Sequence, residues 1–137
     1  MKKIALIIAL LLFVGLTYGQ GIVKGNLIGT HTMTVTLKEG VTMDKFIKFF
    51  STKYKPEAEK NMPGCKIYVV KAIRGENTDT YGLIYVFKNE KERNKYFNPD
   101  GTTTKLGKGV EEKLKKVTDE LEKLGTFTTK YTDWIVQ

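Results

Sequence analysis

From His31 the chain alternates, with Met33, Val35 and Leu37 set against Thr32, Thr34 and Thr36. A period of two with β-branched residues throughout predicts a half-buried strand, ended by Lys38-Glu39-Gly40. The period then lengthens. Met43, Phe46, Ile47, Phe50 and Tyr54 share one face of a helix, capped by Thr42 with Asp44 in the first turn and interrupted or restarted at Pro56. Met62-Pro63-Gly64 makes a turn. CKIYVVKAI (65–73) is the second predicted strand, RGENTDT (74–80) a polar hairpin loop, and YGLIYVF (81–87) the third strand. Asn89 with Glu92 three residues on resembles a capping box for a short helix through Tyr96 and Phe97, stopped by Asn98-Pro99-Asp100-Gly101. Val110, Leu114, Val117, Leu121 and Leu124 fall on one side of a longer helix, with Gly125 as its C-terminal glycine. FTTKYTDWIV (127–136) is the last strand.

The order β-α-β-β-α-β with right-handed crossovers predicts an α+β fold of the ferredoxin-like kind. Its four-stranded antiparallel sheet has the first and third strands at the centre and both helices on one face. That arrangement leaves a problem. The third strand places Tyr81, Leu83, Tyr85 and Phe87 on one face and Gly82, Ile84 and Val86 on the other. The second strand sets Ile67, Val69 and Ile73 against Tyr68, Val70 and Ala72. Two helices cover only one face, and the other is a larger apolar patch than monomers usually expose. A second copy of the chain is the expected cover. Thr32, Thr34, Thr36, Tyr68, Val70, Ile84 and Val86 fall in that homodimer interface, of roughly 1,200–2,000 Å² or more. The other reading has the segment before His31, or a different subunit, over this face.

The N-terminus changes the compartment. Met1-Lys2-Lys3 is basic, Ile4 to Leu12 is apolar, and Thr17 and Gly19 are small. This is the order of a secretory signal peptide over residues 1–19, and the run is short for a membrane span of roughly 20 residues. The expectation is an exported bacterial protein, periplasmic or secreted, with no stable membrane insertion once the signal is removed. A flexible lead-in over 20–30 and one domain over 31–137 follow.

Charge and cysteine content narrow the partners. The formal net charge is +8, and Arg74 and Arg93 are the only arginines. Base and phosphate recognition favours the arginine fork, so nucleic acid is not an expected partner. The lysines read as a solvated surface, or as the contact face of an envelope interaction module. Cys65 and His31 are each the only residue of their type, too few for the three or four ligands of a zinc site. No metal and no cofactor is expected. The acid pairs Glu57/Glu59 and Glu111/Glu112 read as solvated helix faces.

His31 shares parity with Met33 and is a weak catalytic candidate, a general base with a pKa near neutral, against a plain strand-start histidine. Tyr81, Tyr85 and Phe87 share the helix-side face. With Trp134 they are candidates for binding a small, flat, partly apolar or aromatic ligand, against ordinary core.

Met62-Pro63-Gly64 leading into a strand, then a hairpin, then YGLIYVFKNEKERNKYF, resembles the dimeric α/β-barrel superfamily, including its antibiotic-biosynthesis-monooxygenase-like and stress-responsive A/B-barrel members. The resemblance runs from about residue 30 to residue 137. It implies a pocket between the sheet and its helices, and one of two roles: a binding protein without chemistry of its own, or a cofactor-independent monooxygenase-like enzyme. Haem-degrading relatives carry a Trp at the end of the third strand and a His on the next helix. Here Phe87 holds the strand end and residues 89–124 contain no His, so the resemblance does not extend to haem.

Overall fold

The computed structural model describes residues 21–76 and 78–137. The signal segment expected over 1–19 and the cut before Gln20 lie outside the described residues. Four strands, β1 (Leu27–Leu37), β2 (Cys65–Lys71), β3 (Tyr81–Phe87) and β4 (Gly125–Ile135), form one antiparallel sheet in the order β2-β3-β1-β4. The helical segments are α1 (Met43–Phe49), a π-helical turn (Phe50–Tyr54), α2 (Lys55–Asn61), α3 (Glu90–Arg93) and α4 (Lys105–Glu122). This is the ferredoxin-like α+β fold, with β1 and β3 central.

Local chemistry explains most of the boundaries. The Thr42 hydroxyl accepts from the Lys45 amide at 3.3 Å and opens α1. The helical run does not break at Pro56. It widens into the π turn just before it, and Pro56 sits in the first turn of α2. A proline ring clashes with the carbonyl four residues back in a regular helix, and the wider turn relieves that clash. Asn89 Oδ1 accepts from the Glu92 amide at 2.9 Å and starts α3. Asn98 to Gly101 is the expected turn, closed by the Gly101 amide on the Asn98 carbonyl at 2.9 Å.

Three sequence expectations need correction. β1 begins at Leu27, so residues 27–30 belong to the strand and not to a lead-in. Leu27 is buried and pairs with Phe87 and Ile135. Gly29 has no side chain to carry the alternation, which hid the first turn of the pattern. β2 ends at Lys71, leaving Ile73 exposed in the hairpin loop. Gly125 is not a helix terminator. It is the first residue of β4, where a Cβ would lie 2.7 Å from the Thr36 carbonyl oxygen.

The register sorts the sheet into two faces. Leu27, Gly29, His31, Met33, Val35 and Leu37 of β1 point to the helices, in line with Cys65, Ile67 and Val69, with Leu83, Tyr85 and Phe87, and with the odd-numbered residues of β4. Two core clusters fill the space under the helices, one around Ile67, Phe87, Ala58 and Leu114, the other around Phe46, Phe50, Leu83 and Leu121. The opposite face is open within the chain. Tyr68 and Trp134 are more than half exposed there and Val70 is 37% exposed. The aliphatic part, with Ile28, Ile84 and Val86, lies toward β2 and β3. Threonines 30, 32, 34, 36, 126, 128 and 132 cover the β1–β4 side.

Candidate functional site

The two core clusters leave a cavity of about 440 Å³ between the sheet and the helices. Its floor is apolar, with Ala58, Met62, Leu83, Phe87, Val110 and Leu114. Its mouth is polar and is built by the ends of β1 and β4 and by the segment that carries α3. Gly29 is the key to the shape there. A Cβ on Gly29 would stand 3.0 Å from Asp133 Oδ1, 3.3 Å from His31 Nε2 and 3.7 Å from the Tyr85 Cβ. The missing side chain therefore leaves a narrow notch with a carboxylate oxygen and an imidazole nitrogen at its edge.

Each of those groups is held from behind. His31 Nδ1 lies 3.3 Å from the Thr129 hydroxyl, and the ring packs between Tyr85, at 4.7 Å between centroids, and Tyr131, at 5.5 Å. Burial lowers the His31 pKa below its ordinary value. The nearby Asp133 carboxylate works against that shift and the Arg93 guanidinium adds to it. The imidazole is thus neutral near pH 7, and with Nδ1 protonated toward Thr129 its Nε2 offers a lone pair to the notch.

Asp133 is held by Arg93. The Arg93 side chain is 8% exposed, its Nη2 lies 3.0 Å from Asp133 Oδ2, and its Nη1 donates to the carbonyls of Phe97 at 3.0 Å and Asn98 at 2.7 Å. The guanidinium also stacks over the Phe97 ring at 5.5 Å. A planar five-donor fork suits this buried, three-partner position, where a lysine ammonium would not. Asp133 Oδ1 accepts no hydrogen bond among the described residues.

Tyr85 and Tyr54 also line the cavity. Burial raises both phenol pKa values, for Tyr54 with a further push from the Glu111 carboxylate. Both hydroxyls remain protonated, and neither has a hydrogen-bond partner among the described residues.

No family model and no curated protein matches the chain. The fold is similar to that of solved proteins. One is a conserved protein of unknown function from Bacteroides thetaiotaomicron, described as a possible oxidoreductase. It is 11% identical, with a TM-score of 0.46 over 80% of this chain and 99% of that one. Another is a dimeric protein of unknown function and ferredoxin-like fold from Bacteroides fragilis, 12% identical, with a TM-score of 0.45 over 83% of this chain and 99% of that one. Likeness at this level carries no statement about chemistry.

Of the residues singled out from sequence, His31, Tyr85 and Phe87 meet at the cavity. Tyr81 is half-buried against the other core cluster and has Lys71 over its ring at 5.9 Å. Trp134 is on the opposite face of the sheet, where its indole N–H donates to the Thr30 hydroxyl at 3.0 Å. Glu111, read as a solvated surface acid, is exposed and also lines the cavity. Sequence reasoning missed Arg93, Asp133, Tyr54 and Tyr131. Parity along β4 held a clue, since Phe127, Thr129, Tyr131 and Asp133 share the face that Trp134 does not. Arg93 held another, as one of two arginines in a lysine-rich chain.

Proposed function

We propose that the chain binds a small, flat, partly apolar molecule in this cavity, with the ring over the apolar floor and a polar end at the notch above Gly29. The joint placement of Asp133 Oδ1 and His31 Nε2 beside Gly29, at the polar mouth of a cavity with an apolar floor, carries this reading. Backbone-amide NMR during titration with aromatic fragments tests it. Shifts centred on Gly29, Thr129 and Tyr85 support it; no saturable shifts, or shifts confined to the other sheet face, reject it.

A second reading is an enzyme of the cofactor-independent monooxygenase type. It is favoured by the contact of His31 with Tyr85, which lets one ligand touch both. A neutral, desolvated imidazole is a competent base toward an acidic substrate proton. Turnover of aromatic substrates that is lost in His31→Ala and reduced in Tyr85→Phe supports it. Binding without turnover leaves a binding protein.

The working form in this proposal is a homodimer, joined through the open sheet face by Tyr68, Val70, Ile84 and Val86 with the threonine row of Thr32, Thr34 and Thr36. The exported state, cut before Gln20, belongs to the same proposal, and the intact mass of the protein recovered from its native cells tests it.

A further inference from the structure

The charges around the cavity point to a ligand class. Among its lining residues there is no lysine, in a chain with 23 basic residues. The one lining cation, Arg93, is spent on Asp133 Oδ2 and two backbone carbonyls. The lining anions are Asp133 and Glu111, and Glu111 has no ion pair among the described residues. The free valences at the notch are acceptors: Asp133 Oδ1 and, with Nδ1 protonated, His31 Nε2. Aromatic faces flank them, with Tyr85 and Tyr131 on either side of His31, and Tyr54 is a further lining residue. Two acceptors beside one notch, a surplus carboxylate and aromatic walls are what an ammonium group needs.

We infer that the polar end of the ligand is an organic ammonium, a protonated primary or secondary amine on an aromatic or apolar body. It donates to Asp133 Oδ1 and His31 Nε2 in the notch above Gly29. The inference rests on the ligand-binding reading above and adds its charge. The net positive charge of the whole chain does not oppose it strongly, because exposed charges beyond about 8 Å are screened at physiological salt.

Three probes of one shape separate the outcomes: tryptamine, which is cationic, tryptophol, which is neutral, and indole-3-acetate, which is anionic. Calorimetric titration is expected to show tryptamine binding at least about tenfold tighter than tryptophol, with indole-3-acetate weakest. Glu111→Gln, at an exposed position, lowers the tryptamine preference by about threefold or more while the urea midpoint stays unchanged. Gly29→Ala crowds the notch and is expected to weaken tryptamine more than tryptophol, narrowing their ratio to about threefold or less. Equal binding of tryptamine and tryptophol overturns the ammonium assignment and leaves the cavity reading standing. Tightest binding of indole-3-acetate overturns it too, and makes Arg93 the anchor. Binding of none of the three, with no amide shifts at Gly29 or Thr129, overturns both readings.

Discussion

At the scale of single residues, the site depends on groups whose burial alters their chemistry. His31 prefers its neutral form in the folded chain, because burial disfavours the imidazolium and Asp133 only partly offsets that. The unfolded chain therefore takes up the proton first as pH falls. Stability linked to His31 is complete above the ordinary histidine pKa of about 6.5 and is lost as pH drops from there through the lower folded value. Urea midpoints at about pH 7.5 and pH 5 should fall less in His31→Gln than in the parent; an equal fall in both removes His31 as the source. Arg93→Met strands the Asp133 carboxylate and the carbonyls of Phe97 and Asn98. With Asp133 partly hydrated, the expected loss is roughly 2–4 kcal/mol in chemical denaturation, and a loss below about 1 kcal/mol would show the pair to be dispensable. Cys65 is buried and its thiol is pushed up to about 12, by burial first and then by the Glu59 carboxylate. It should not react with a disulfide reagent at about pH 8 until the chain is unfolded. The sequence made His31 and Tyr85 visible through residue type and parity. It gave only the rarity of arginine as a sign of Arg93, because a guanidinium on a charged helical stretch looks solvated until the 97–98 turn folds back over it.

The elements were legible where each residue's local chemistry agreed with its place in the fold. Thr42 and Asn89 cap helices as their side chains predict. Gly125 was misleading because a glycine after a helix suits a left-handed terminator, while here it is needed for close approach to β1. Gly107 has a comparable role in α4. It packs in the first helical turn directly against the Tyr96 carbonyl, next to the Thr104 hydroxyl that accepts its amide at 3.1 Å. This contact seats the segment that carries Arg93 against the long helix. Gly107→Ala is expected to cost about 1–3 kcal/mol by overpacking and to broaden the amide signals of residues 93–98. Unchanged stability would mean that the turn shifts freely.

For the whole molecule, the order of elements was enough to give the sheet and its two faces, because hydrophobic period and crossover handedness constrain topology strongly. The character of the open face was less legible. Its apolar part is gathered toward β2 and β3, and the threonines make the β1–β4 half polar, which parity within single strands does not reveal. Burial of the apolar part is worth about 25 cal/mol per Å² before the costs of association. Ile84→Lys, at the centre of that patch, should convert the proposed homodimer to a monomer in light scattering at micromolar concentration while the ligand titration is retained. A parent protein that is already monomeric there would end the twin-sheet proposal.

The notch is also assembled across nearly the full span of the fold: His31 and Thr129 are 98 residues apart in sequence. β4 brings Thr129, Tyr131 and Asp133 to a histidine that belongs to the first strand. Pairings of such separation pay their loop-closure entropy before they are rewarded, and form slowly. During refolding from urea, helical circular dichroism should therefore recover ahead of the capacity to capture a ligand. A chain cut before Phe127 would contain the residues of every helix and of β1 to β3 yet lack the Asp133 carboxylate that completes the site.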